Sequence, residues 1–180
     1  MPWVFTMGRK AASSQGAASA NSTSICPKRA FTRTNMDNPV LAFLKQQIGN
    51  DARHSPSPFM RWLNPTMISV AEGALCMRYV VRPEWLNPMQ QLHGGVVAAI
   101  MDDAIGATVF SLGESHFYAT ISNQIDYLGG AALGDTIEIR TEIVKRGRQL
   151  IHAQCSLWNA DGSRLLAKGS SNLLKTERQH

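Results

Sequence analysis

Residues 94–112 form an apolar stretch that is long enough for a helix and leaves that helix almost no polar face. Such a helix is stable only when other elements of the fold cover it. Asp102 lies inside the stretch, and on a helical wheel its neighbours are mostly small residues, so another backbone can approach it closely. The apolar members of the stretch are Val96, Val97, Ala98, Ala99, Ile100, Ile105, Ala107, Val109 and Phe110.

The sequence His93-Gly94-Gly95 predicts the start of this helix. The first backbone N–H groups of a helix have no partner within it and carry the positive end of its dipole, so they favour a polarised carbonyl oxygen or an anion. In an unbroken helix, a rise of about 1.5 Å per residue separates His93 from Asp102 by roughly 13 Å. One chain therefore cannot bring both residues to one reacting atom, whereas two copies packed side by side can.

Strands are predicted on both sides of the helix. Residues 67–72 and 74–81 alternate around Gly73, and residues 117–127 alternate after the helix. Turns at 145–148 and 159–162 then link three more strands that end near Leu174. Upstream, Asn38-Pro39 predicts a short helix ending at Gly49, and residues 51–65, with their prolines, predict a loop. The predicted class is α+β, with a mostly antiparallel sheet wrapped around one long central helix.

Charge and composition exclude several classes of protein. Residues 1–36 hold five of the 18 Lys and Arg residues and no acid, and the other 13 basic residues balance the 13 acidic ones. The folded part therefore lacks the basic surface of a nucleic-acid-binding protein. The three cysteines are far apart, which indicates neither a disulfide framework nor a zinc site, and no apolar run reaches the ~20 residues of a membrane span.

The first 36 residues are rich in Ser, Ala, Gly and Asn and show no hydrophobic period. We expect them to be disordered, either as a leader from an early start codon or as an organelle transit peptide. The first alternative, with a natural start at Met36, places the protein in the cytoplasm. The second places it in the mitochondrion.

Several motifs, taken in order, resemble those of the acyl-CoA thioesterases of the hotdog fold, in particular the phenylacetate-degradation (PaaI-like) branch. They are Asn87, six residues before His93-Gly94-Gly95, then Asp102, the strand at residues 119–127, and Gly134-Asp135 before the last hairpin. The resemblance covers about residues 60–175 and identifies residues 37–180 as a hotdog thioesterase domain. Signatures of serine hydrolases, P-loop enzymes and zinc proteases are missing from the sequence.

The resemblance implies a catalytic role for each motif residue. Asp102 matches the carboxylate that deprotonates the attacking water or acts as the nucleophile. The Gly94 N–H, with Asn87 nearby, matches the group that polarises the thioester carbonyl. Thr120 matches a residue that helps hold the water, and His93 matches a residue that supports the turn.

The resemblance also implies contacts with the substrate. Gly95 leaves room for acyl-CoA, and Arg146 and Arg148 are placed to contact the phosphates of coenzyme A. Asp103, about 100° around the helix from Asp102, is interpreted as structural. No metal or other cofactor is expected.

In this family the catalytic groups meet across a dimer interface, so a homodimer is the expected minimal unit and a homotetramer the expected assembly. No nucleic acid or membrane partner is expected. Two other functions stay open: a hotdog hydratase or dehydratase, and a non-catalytic acyl-CoA-binding protein. The His-Phe-Pro run and helical Glu of the acyl-carrier-protein dehydratases are absent from the sequence, and so is a DNA-binding module.

Overall fold

A six-stranded antiparallel sheet packs against one long helix in the computed structural model, which describes residues 38–176. The predicted leader at residues 1–36 lies outside the described residues. The helices are α1 (Pro39–Gln46), α2 (Pro58–Leu63) and α3 (Gly94–Phe110), with a short 3-10 turn at Pro83–Trp85. The strands are β1 (Thr66–Ala71), β2 (Ala74–Val80), β3 (Phe117–Tyr127), β4 (Thr136–Arg146), β5 (Leu150–Asn159) and β6 (Leu165–Thr176). The predicted class and the order of two strands, one helix and four strands are confirmed.

The strands lie in the order β1-β2-β4-β5-β6-β3. Strands β4, β5 and β6 form the predicted meander, and β3 returns to pair with β6. Strand β3 is therefore an edge strand, and most of its side chains are exposed. The large apolar ones among them are Phe117, Ile121 and Tyr127, each more than half exposed.

Helix α3 rests on the sheet along one side. Ile100, Met101, Ala104 and Ile105 are almost completely buried there, in contact with a core built from β2, β4, β5 and β6. The other side is only partly covered, since Gly106 and Phe110 are exposed. The single chain thus leaves part of this apolar helix accessible.

Residues 51–65 are not a continuous loop, because α2 lies within them. Ser57 caps α2 by accepting a hydrogen bond from the Met60 N–H, Pro58 occupies the first turn, and Asn64 ends the helix in the left-handed conformation. A helix of six residues is too short to show a hydrophobic period, so the prolines dominated the sequence pattern. The predicted helix after Asn38 is confirmed as α1, with Asn38 as its cap.

Within residues 38–176, no helix combines the length and hydropathy that crossing a membrane requires.

Candidate active site

The start of α3 presents one backbone donor that no other group of the described chain uses. His93 is the N-cap residue, and its Nδ1 accepts a hydrogen bond from the Gly95 N–H at 2.9 Å. The Val96 N–H is bonded to the carbonyl of His93. The Gly94 N–H has no acceptor among residues 38–176, so it is the donor that a ligand meets at this helix end.

Asn87 lies in the loop that leads to α3. Its Oδ1 accepts hydrogen bonds from the Met89 N–H at 2.9 Å and the Gln91 N–H at 3.1 Å. These two bonds define the orientation of the side-chain amide, and they leave Nδ2 as a donor. The backbone of the loop folds back on itself, since the Asn87 N–H donates to the carbonyl of Gln91 and Gln90 has a positive φ of 60°.

Asp102 is held by two residues of β3. Thr120 Oγ1 and Asn123 Nδ2 both donate to Asp102 Oδ1, at 3.0 Å and 2.9 Å. Because both bonds end on Oδ1, Oδ2 is the oxygen that the described residues leave for water or substrate. The side chain is half-buried, so it is held in place and also accessible.

Asn123 was not predicted from the sequence, and a β-bulge explains why. In a regular strand, residues three apart point to opposite faces of the sheet. The register between β3 and β6 shifts between Thr120 and Ser122, so Ile121 is an extra residue in β3. The bulge brings Thr120 and Asn123 to the same face, toward α3.

The two groups of residues predicted to be catalytic lie apart within one chain. Gly94 and Asp102 belong to the same unbroken helix, and eight residues at about 1.5 Å each separate them by roughly 12 Å. Gly94 lies beside Tyr127, at the far end of β3 from Thr120: a Cβ added to Gly94 would be 3.4 Å from Tyr127 Cε1. The structure therefore brings Asp102 and Thr120 together and keeps Gly94 away from Asp102 within one chain.

A cavity of about 670 Å³ opens beside Asp102. Asp103 and Asp102 both line it, together with residues of α1, α2, β1 and the start of β3. Burial, and then the charge of Asp102, raise the pKa of Asp103 to about 6. Asp103 Oδ2 is buried and has no hydrogen-bond partner within the described chain.

The hairpin between β4 and β5 carries the basic residues expected to contact coenzyme A. Arg146 is bound within the chain, because its guanidinium lies 2.5 Å from Glu114 Oε1 and 3.6 Å from Glu72 Oε1. Arg148 is exposed. No cluster of three or more His, Cys, Asp or Glu side chains within residues 38–176 is arranged to hold a metal ion.

The sequence is similar to those of known thioesterases and esterases. The model of the thioesterase superfamily matches residues 89–166, which include α3 and most of the sheet. A putative esterase of Pseudomonas aeruginosa is 32% identical over 116 residues, 63% of this chain and 85% of the esterase. The chain belongs to the thioesterase superfamily. Human acyl-coenzyme A thioesterase 13 is 27% identical over 104 residues, 58% of this chain and 74% of that protein.

Solved structures of this superfamily share the fold. A hypothetical thioesterase of Streptococcus pneumoniae, solved with coenzyme A, superposes with a TM-score of 0.60 and 25% identity, over 65% of this chain and 89% of its own. The PaaI protein of the Escherichia coli phenylacetic acid degradation operon gives a TM-score of 0.67 and 19% identity, over 78% and 96%. The hotdog thioesterase fold predicted from the sequence is confirmed.

Proposed function

We propose that the protein hydrolyses acyl-CoA thioesters to the free acid and coenzyme A, at sites shared by two copies of the chain. One observation carries the proposal: α3 begins at Gly94 with an N–H donor that no described residue uses, and two turns later it holds a carboxylate fixed by Thr120 and Asn123. Membership of the thioesterase superfamily and similarity to an acyl-coenzyme A thioesterase support the choice of substrate.

Strand β3 lies at the edge of the sheet, and this position favours a dimer. A long edge strand with exposed apolar side chains favours pairing with a second strand, and pairing with its own copy forms a symmetric interface. If two copies of β3 pair antiparallel over their full length, Phe117 of one protomer lies opposite the partner's Tyr127. The partner's Gly94 contacts that tyrosine, so it approaches Thr120 and Asp102 at the mouth of the cavity.

The shared site supplies what thioester hydrolysis requires. The Gly94 N–H, with Asn87 Nδ2, binds the carbonyl oxygen and stabilises the negative charge that develops as water adds. Asp102 Oδ2 takes the proton of the attacking water while the water oxygen bonds to the thioester carbon. The C–S bond then breaks, and the thiolate of coenzyme A leaves and takes up a proton. Thr120 and Asn123 position Asp102, and His93 caps the helix whose donor is used.

We also propose an assembly, the bounds of the domain and a cellular compartment for this protein. The homodimer is the minimal active unit, and the homotetramer expected from the sequence stays a prediction. The hotdog domain comprises residues 37–180, and its partner is acyl-CoA. Gly95 leaves room for the acyl-CoA, and Arg148 lies near the phosphates of coenzyme A. We propose the cytoplasm as the compartment, with the mitochondrion as the alternative if residues 1–36 form a transit peptide.

Thiol release from a panel of acyl-CoA substrates tests this function. We expect the wild type to release coenzyme A, and Asp102→Asn to lower kcat by about 10²–10³-fold, because the base is lost while the amide oxygen still accepts hydrogen bonds from Thr120 and Asn123. Asp161→Asn, at an exposed aspartate in the turn between β5 and β6, is the matched control and should keep wild-type activity. Full activity in Asp102→Asn would disprove the role of Asp102. Tight binding without turnover by the wild type would favour a binding protein, and formation of an enoyl thioester would favour a hydratase.

A further inference from the structure

We propose that Gly106 lets the protein accept straight acyl chains of about ten carbons, a length that fits the rise of α3 along the cavity, and this preference rests on the proposed function. Gly106 lies one turn after Asp102 on α3, about 40° around the helix from it. Both residues line the cavity of about 670 Å³. The position that follows the carboxylate on this face of α3 therefore belongs to the wall that an acyl group meets.

Neither backbone conformation nor crowding within the protomer explains a glycine at position 106. Its φ lies outside the left-handed region, so other residues can adopt the same conformation. A Cβ built on Gly106 would meet no atom of the described chain within 4 Å outside its own helix. A glycine inside a helix is less stable than an alanine, because it loses more conformational freedom on folding. The open space at Gly106 therefore serves something other than packing within one protomer.

The cavity extends from Asp102 in one direction along α3. Asp102 is the first residue of α3 that lines it, and Phe110, roughly 12 Å farther along the helix, is the last. On β3 the lining residues run from Thr120, which is bonded to Asp102, back to Phe117. A chain that leaves Asp102 toward Phe110 crosses Gly106 halfway. An extended chain advances roughly 1.2 Å per bond, a third of the span of one extended residue, so about ten carbons fill this distance.

The walls of the cavity suit a hydrocarbon chain better than the pantetheine arm of coenzyme A. Polar lining residues at 47–57 are at least partly exposed and form a rim. The two amides of pantetheine would lose hydrogen bonds to water in an apolar interior. Phe43, Phe110 and Phe117 are exposed and line the same cavity, and grouped exposed apolar side chains are typical of a ligand groove. Buried apolar residues that line the interior include Met67, Met77 and Leu173.

A series of straight-chain acyl-CoA substrates, assayed by thiol release, tests this length. We expect kcat/KM of the wild type to rise about threefold for each added methylene up to about ten carbons and then to level off. Gly106→Val places a compact side chain across the path, so the rise should stop near six carbons. Decanoyl-CoA should then lose about tenfold or more in kcat/KM, and butanoyl-CoA, which ends before position 106, should change less than about twofold. Ala160→Val, in the exposed turn between β5 and β6, is the control and should keep the wild-type profile.

Binding separates this inference from the proposed function. Isothermal titration of Asp102→Asn should show tighter binding of decanoyl-CoA than of butanoyl-CoA. Adding Gly106→Val should remove this difference without weakening the binding of free coenzyme A. The same binding pattern without turnover by the wild type would overturn the proposed function and keep the inference.

Three results would overturn the inference and leave the proposed function standing. The first is a wild-type chain-length profile that Gly106→Val does not change. The second is weaker binding of free coenzyme A by Gly106→Val, because the cavity would then hold the pantetheine arm. The third is loss of a wild-type dimer in Gly106→Val, measured by sedimentation velocity, because Gly106 would then serve the contact between subunits.

Discussion

In the proposed mechanism Gly94 acts through its backbone N–H, so a proline at this position tests that role directly. Gly94 is the first residue of α3, where a proline fits the helix and removes only the N–H. The preceding residue, His93, has φ −66° and ψ 134°, the extended conformation that a following proline requires. We expect Gly94→Pro to lower kcat by about 10²–10³-fold, the usual effect of losing one oxyanion donor, as measured by thiol release.

Gly94→Ala is the control for this prediction. Its methyl group lies 3.4 Å from Tyr127 Cε1, an acceptable contact, and the N–H remains. We expect the alanine variant to retain most of the activity. Equal losses in the two variants would show that the site depends on space at Gly94 and not on its donor.

Asp103 makes stability depend on pH. The pKa of Asp103 is raised from 3.8 to about 6, so between these values the folded state binds more protons than the unfolded state. Ionisation of Asp103 therefore lowers the free energy of unfolding as the pH rises between these two pKa values. We expect Asp103→Asn to raise the free energy of unfolding at pH 7.5 relative to the wild type by about 1–2 kcal/mol, a value reduced for the partial exposure of the side chain.

Urea unfolding at pH 4.5 and pH 7.5 measures this difference. The gain in Asp103→Asn should be smaller at the lower pH, where the wild-type carboxyl is largely protonated. A pH-independent difference between Asp103→Asn and the wild type would contradict the raised pKa.

In the proposed mechanism, the bulge in β3 helps to position Asp102. It turns Asn123 toward α3, and the amide of Asn123 provides one of the two donors that hold Asp102. We expect Asn123→Ala to lower kcat about tenfold with little change in KM, because loss of a hydrogen bond to a charged group affects the orientation of Asp102 more than substrate binding. Steady-state kinetics checks this, with Gln46→Ala, an exposed residue of α1 away from the proposed interface, as the control. If only KM changes, Asn123 contributes to substrate binding and not to the orientation of Asp102.

Element periodicity explains which parts of the fold were predictable. Helix α3 and the strands were predicted because long apolar or alternating runs fix both the type and the buried face of an element. Helix α2 is not predicted from the sequence because its six residues show no hydrophobic period.

The site residue Asn123 is not predicted because regular alternation places its side chain on the opposite face of the sheet from Thr120. Only the pairing of β3 with β6 reveals the bulge. The partners of Arg146, Glu72 and Glu114, come from distant parts of the chain, so no local pattern signals them.

The proposed dimer explains two features of the whole molecule. Helix α3 is incompletely covered within one protomer, and β3 has one unpaired edge among the described strands. One protomer buries the sheet-facing side of α3 and leaves Gly106 and Phe110 exposed, while β3 ends the sheet with Phe117 and Ile121 exposed. In the proposed dimer, the second copy pairs along β3 and lies beside the exposed side of α3. The same arrangement brings together donor and carboxylate, which one helix keeps roughly 12 Å apart.

Complementation between two inactive variants tests this shared site most directly. Asp102→Asn and Gly94→Pro are co-expressed with different tags, and the mixed dimers are assayed for thiol release. A shared site leaves each mixed dimer one intact and one doubly altered site, so the isolated mixed dimers should have about half of wild-type activity. If Gly94 and Asp102 of the same protomer act together, every site carries a lesion, and activity no higher than that of the separate variants would contradict the shared site.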